Sequence, residues 1–206
     1  MTDPTARAAA ARRGICLAYF TIAYNFAESL LSLGAGLIAG SVALIGFGID
    51  SAIEVTSALA ARWRLRRDFD EAGRERVELI AHRIIGWCFL LLSIYVAADS
   101  VQSLLAREKP DSSLVGILVL CASIVVMPIL ARAKRKVAMT LRSGALASEA
   151  KQTSLCAYLS AIALIGVGAN ALFGWWWADP ASALGMVPII GLEGLEGIRA
   201  TKRVSA

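Results

Sequence analysis

The chain has 206 residues, of which 57% are hydrophobic and 18% charged, with a positive mean hydropathy. This is too apolar for a single water-soluble domain and places the protein in the membrane class. The net charge of +5 would suit a nucleic-acid binder, but the basic residues fall in blocks between apolar stretches, so the charge reads as a topology signal instead.

Six stretches reach the roughly 20 apolar residues needed to cross a bilayer, at about 15–38, 41–61, 82–105, 113–131, 146–172 and 180–199. The expected fold class is an all-α membrane protein, a bundle of six transmembrane helices. Its expected organisation is a short tail over 1–14, the helical domain over 15–199 and a short tail over 200–206, with no further C-terminal domain. The start MTDPTARAAAARR lacks the cleavage pattern of a signal peptide, so the first span is expected to stay attached.

Arg7, Arg12 and Arg13 precede the first span, which carries Asn25 and Glu28. Ser41 follows a Gly-rich turn and is the expected N-cap of the second span. After that span come Arg62, Arg64, Arg66, Arg67, Arg74, Arg76 and Arg83, with the only histidine, His82, read as interfacial. The third span ends near Asp99 and Gln102, read as hydrogen-bond partners or cavity lining, and its exit holds only Arg107 and Lys109. Asp111 and Ser112, after Pro110, mark the start of the fourth span. The basic run Arg132, Lys134, Arg135, Lys136 and Arg142 is assigned to the link that follows it. Trp175, Trp176 and Trp177 read as an interfacial aromatic belt, and Asp179-Pro180 as the N-terminal signal of the sixth span. Glu193, Glu196 and Arg199 read as charges at its far end, followed by Lys202 and Arg203. With basic blocks on alternate links, the positive-inside rule puts both termini in the cytoplasm. Glycines at helix-packing spacing, Gly36 and Gly40, Gly166 and Gly168, and Gly191, Gly194 and Gly197, predict close helix contacts.

Ionisable side chains inside a span are costly and mark function. Asp50 and Glu54 lie well inside the second span in GFGIDSAIEVTSALA. Their i, i+4 spacing puts both carboxylates on one helical face, which suits a cation site or a proton carrier. The alternative is an acid pair neutralised by an intramembrane base, for which Lys151 is the only basic residue inside an expected span once Arg83 and Arg199 at the span ends are set aside. Gln152 and Cys156 repeat the i, i+4 spacing in the fifth span, and a carboxamide oxygen with a thiolate would complete a four-ligand shell of the kind zinc favours. The alternative for these two is an ordinary polar helix contact and a packed cysteine. One sulfur among oxygens shifts preference toward zinc, cadmium or another late metal. Asn25, Glu28 and Glu149 are candidates for the access path or for support of the ligands. Cys16, Cys88 and Cys121 read as packing residues, since no CxxC spacing indicates a disulfide or zinc framework. No phosphate-binding loop and no hydrolase motif is present, which argues against ATP-driven transport and against an enzyme.

The stretch AGSVALIGFGIDSAIEVTSALAARWRL resembles the second helix of the cation diffusion facilitator family, and YVAADSVQSL and ALFGWWWADPASAL extend the resemblance over essentially the whole chain. The resemblance implies export of a divalent metal from the cytoplasm in exchange for protons, and a homodimer in the plasma (inner) membrane. The metal would be zinc, with cadmium, cobalt or iron as alternatives. It implies Asp50 and Glu54 as metal ligands, with Gln152 and Cys156 standing where members usually carry His and Asp. The chain resembles the short branch made of the transmembrane bundle alone, as in a synaptic-vesicle zinc exporter, without the His-rich loop of some members. No organic cofactor and no nucleic-acid partner is expected; the partners are the bilayer, the metal, protons and a second copy. The competing readings are a membrane metal sensor or assembly partner that does not transport, and an exporter of small organic cations that uses the acid pair as counter-charge.

Overall fold

The computed structural model describes residues 4–66, 71–141 and 144–204, with side chains placed for 9–59, 83–141 and 146–199. Arg67 and Arg142 lie outside the described residues, and so do the side chains of Arg7, Arg62, Arg64, Arg66, Arg74, Arg76, His82, Lys202 and Arg203. The chain forms α1 (Pro4–Ala39), α2 (Val42–Arg66), α3 (Glu71–Ala106), α4 (Leu114–Leu141), α5 (Gly144–Phe173) and α6 (Ala178–Val204). Among the described residues there is no strand.

All six helices contain a segment long and apolar enough to cross a membrane, from Ala9–Ala39 to Ala178–Arg199. These segments overlie the six expected spans. In lipid every backbone group must be satisfied within its own segment, which helices achieve. Outward-facing residues such as Ile38, Leu105 and Leu172, 87%, 81% and 79% exposed, are apolar because hydrocarbon, not water, surrounds them. The molecule is therefore a multi-pass integral membrane protein.

One boundary differs from expectation in a way that matters. The fourth helix does not stop at 131 but runs on to Leu141, taking Arg132, Lys134, Arg135 and Lys136 into the helix. The helical period then sorts them: Leu130, Ala131, Lys134, Val137 and Ala138 form the buried stripe, while Arg132, Arg135 and Lys136 turn away from it.

The helix ends are also capped differently from expectation in two places. Ser41 does cap α2, its hydroxyl accepting the Leu44 N–H at 3.2 Å. Asp179, expected to cap α6, lies in the first turn of that helix and caps α2 instead. It accepts the Ser41 hydroxyl and, at 3.4 Å, the Ala43 N–H. At α4 the cap is Ser113, which accepts the Gly116 N–H at 3.1 Å, one position beyond the expected Asp111-Ser112 signal. Gly40 takes φ +67° just after α1, where a side chain would be strained.

The most buried transmembrane segment is that of α2, 61% of it enclosed, and α2 packs against α1, α3, α5 and α6. Ala43, Leu44 and Phe47 of α2 meet Val96, Leu120 and Met186 in the main core. Glycines permit the closest approaches. A methyl group on Gly36 would lie 2.9 Å from the Ile45 backbone nitrogen, and one on Gly194 would lie 2.9 Å from the Gly86 carbonyl of α3. Gly40 and Gly168, in contrast, face no neighbour within 4 Å, so the small-residue spacing is used at only some of its positions. Trp175 and Trp177 stack with centroids 5.5 Å apart and stand about half exposed at the end of the bundle away from the termini.

Candidate functional site

Because α2 is central, its polar face can only look into the bundle. Asp50 and Glu54 are 5% and 2% exposed. Between them on the same helix, the Ser51 hydroxyl donates to Glu28 Oε2 of α1 at 2.8 Å, which brings a third carboxylate, itself 3% exposed, to the same level. The Cys156 thiol of α5 lies 3.8 Å from Glu28 Oε2 and against the Asp50 carboxylate. Cys156 is thus the α5 residue that joins the acidic groups of α1 and α2. Tyr24 and Ser123 flank Glu28 and Cys156.

Gln152, the other residue of the expected α5 pair, takes a side position. It is half-buried and lines a cavity of about 10 Å³ with Asp50, Leu155 and Glu193, room for about one water. Its Nε2 is buried without a hydrogen-bond partner. The residue of α5 that engages Glu54 is Thr153, whose hydroxyl donates to Glu54 Oε1 at 2.5 Å.

Thr153 also accepts a hydrogen bond from Lys134 Nζ at 2.9 Å. Lys134 is 1% exposed, and its ammonium lies 3.9 Å from Glu54 Oε1 and 3.8 Å from Glu149 Oε2. The intramembrane base facing the acid pair is therefore Lys134, not Lys151. Lys151 is half exposed and pairs with Glu193 at 3.4 Å and with Glu196, so Glu193 and Glu196 are joined to α5. Such exposed pairs add little. Glu149, expected on an access path, is buried behind Lys134.

Four carboxyl groups, those of Glu28, Asp50, Glu54 and Glu149, thus share the buried interior with the one ammonium buried among the described residues. Unpaired buried charge is prohibitively costly, so this constellation requires further cations or protons. The same region gathers polar atoms that have no hydrogen-bond partner: both side-chain atoms of Asn25, Glu28 Oε1, Glu54 Oε2, Ser123 Oγ and both oxygens of Glu149. Each unsatisfied group costs on the order of 1–3 kcal/mol, and native proteins keep few of them. Their gathering in the interior of a lipid-embedded bundle suits a site that receives a ligand. Among the described residues no three His, Cys, Asp or Glu side chains converge on one point as a ready metal cage. Ligation by Asp50, Glu54, Glu28 and Cys156 together therefore requires side-chain rearrangement. Asp99 stands apart, accepting the Tyr95 hydroxyl at 3.2 Å.

Lys134, Thr153, Ser51 and Ser123 were not among the residues expected at the site. Lys134 had a readable signal: it completes the i, i+3, i+4, i+7 stripe that begins with Met127, Leu130 and Ala131 and that Val137 and Ala138 continue through the basic run. The neutral hydroxyls had none.

The architecture is a six-helix, multi-pass bundle around a buried acidic centre. The chain belongs to the family defined by the cation efflux transmembrane domain, which it matches over residues 18–204. It is 25% identical over 175 residues to an uncharacterized transporter of Synechocystis sp., the alignment covering 82% of this chain and 56% of the relative. The chain therefore spans little more than half the length of that relative.

Proposed function

We propose that the protein is a secondary transporter that exports a divalent metal cation, zinc first among candidates, from the cytoplasm in exchange for protons. Membership in the cation efflux family and likeness to a transporter support the general class. The observation that carries the reading is the burial of Glu28 and Asp50, from two helices, on either side of the Cys156 thiol of a third, with Glu54 one turn from Asp50. Asp50 and Glu54 are the primary ligands in this reading, Cys156 supplies the soft donor, and Glu28 joins the shell. Gln152 sits close enough to Asp50 to enter it after a rotamer change. Carboxylates must lose their protons to bind metal, so the same groups carry protons back when the cargo has left. Both termini face the cytoplasm under the positive-inside rule, with the protein in the plasma membrane. A homodimer follows from the family resemblance alone. Export of organic cations fits less well, because the cavity beside Asp50 is only about 10 Å³ against the several hundred that small-molecule sites occupy.

The test is zinc and cadmium flux into proteoliposomes under an imposed pH gradient, comparing the wild type with Asp50→Ala and Cys156→Ser. The reading requires metal flux in the wild type, its loss in Asp50→Ala, and an altered zinc-to-cadmium ratio in Cys156→Ser. Absence of metal flux from folded wild-type protein would sink it.

A further inference from the structure

We infer that Lys134 is a tethered counter-cation of the acidic centre, whose ammonium fills the gap between Glu149 and Glu54 and is displaced when a cargo cation binds. This rests on the reading of Asp50 and Glu54 as a cation site, and it adds a residue that competes with the cargo.

Three observations carry it. Lys134 is the only basic side chain buried among the described residues, so nothing else of positive charge balances the four carboxyl groups from within. Its position is at the termini end of the site: Glu149 lies one turn closer than Thr153 to the start of α5, and Lys134 stands between Glu149 and Glu54. A cation passing from Glu149 toward Glu54 meets the ammonium first. Finally, the ammonium is held loosely for a buried charge. Its hydrogen bond goes to the Thr153 hydroxyl, and it stands 3.9 and 3.8 Å from the two carboxylates, beyond hydrogen-bond range. Glu54 Oε2 and both Glu149 oxygens have no hydrogen-bond partner at all. An optimised structural ion pair in a low-dielectric interior would close those contacts, because only good geometry offsets desolvation. A compact divalent ion that ligates Glu54 directly can replace this arrangement, while the flexible lysine stem lets the ammonium withdraw toward Glu149.

The experiment is calorimetric titration of zinc chloride, and in parallel cadmium and cobalt chlorides, into the full chain in lipid nanodiscs. Wild type, Lys134→Met, Lys134→Arg and Asp50→Asn are compared. Removing the resident positive charge is expected to tighten zinc binding by about tenfold or more, since charges at such separations interact strongly in a protein interior. Lys134→Arg, which keeps the charge, is expected to stay within about threefold of the wild type. A purely structural lysine would give the opposite sign, with weaker binding in Lys134→Met as the site loosens. Equal or weaker binding in folded Lys134→Met therefore overturns the inference while leaving the cation site intact, whereas no metal binding in wild type or in Lys134→Met overturns both. If Lys134→Met does not fold, Lys134→Met combined with Glu149→Gln removes one buried charge of each sign. That double variant must then bind zinc more tightly than Glu149→Gln alone, and a failure to do so overturns the inference equally.

Discussion

The Thr153 hydroxyl donates to Glu54 Oε1 at 2.5 Å across 99 positions of chain, and its oxygen accepts from Lys134 Nζ at 2.9 Å. One neutral side chain thus uses both its donor and its acceptor to join an intramembrane acid to an intramembrane base. Replacing it by valine keeps the shape and removes both bonds. Leaving two buried charged groups short of a partner costs about 1–3 kcal/mol, so Thr153→Val is expected to lower the unfolding midpoint of the purified protein in detergent, with Thr153→Ser close to wild type. Unchanged stability in Thr153→Val would mean that the hydroxyl relay contributes nothing.

Asp179 ties the start of α6 to the start of α2. It accepts the Ser41 hydroxyl and the Ala43 N–H, groups that lipid cannot satisfy. Because α2 carries Asp50 and Glu54, losing this cap affects the helix that positions the site. Asp179→Ala is expected to cost about 2 kcal/mol, the upper range for an N-cap, and to reduce metal flux in proteoliposomes together with stability. Asp179→Asn, which keeps an acceptor oxygen, should recover most of both. A fully stable Asp179→Ala would show that water at the membrane surface substitutes for the carboxylate.

The six spans and the buried depth of Asp50 and Glu54 were legible in the sequence because hydrocarbon imposes a length of apolar chain that few other environments require. Lys134 was not, since a basic residue in a cluster beyond an apolar run is assigned to water by any rule that counts charge. Only the continuing stripe through Val137 and Ala138 separates it from Arg132 and Arg135. The role of Asp179 was hidden for a different reason. Its local context, Asp-Pro at a helix start, already had an adequate explanation, and its actual partner lies 138 positions away. Cys156 and Glu28 illustrate the intermediate case: each was visible as a polar or soft group in a span, but only packing of α1 against α2, and of α5 against α2, shows that they meet.

The reciprocal approach of Gly86 and Gly194 offers a test of how α3 and α6 are held together. A methyl group on Gly194 would meet the Gly86 carbonyl at 2.9 Å and the Leu90 backbone nitrogen at 3.0 Å, and neither backbone atom can rotate away. Gly194→Val is expected to cost about 1–3 kcal/mol or more through overpacking, read as a lower thermal midpoint. Gly168→Ala, where no atom lies within 4 Å, is the control. It should be neutral or stabilising by up to about 1 kcal/mol through helix propensity. A tolerated valine at 194 would mean that the two helices slide apart without penalty.

The carboxylates of the centre set the expected response to acidity. A metal held by these carboxylates, as proposed above, binds only their deprotonated forms, so protons compete with it and affinity is expected to fall as pH falls. The slope of log Kd against pH counts the protons released per metal bound. Asp50→Asn removes one titrating ligand while keeping its size, and is expected to reduce that slope by about one, along with a loss of affinity. Glu28→Gln should reduce it as well if Glu28 joins the shell, while its remaining carboxamide oxygen can still accept from Ser51, which now donates at 2.8 Å. A slope unchanged in Glu28→Gln alongside a reduced slope in Asp50→Asn would confine the ligands to α2 and α5 and leave Glu28 as a scaffold for Ser51. Zinc binding to the full chain across a pH series in nanodiscs reads both slopes.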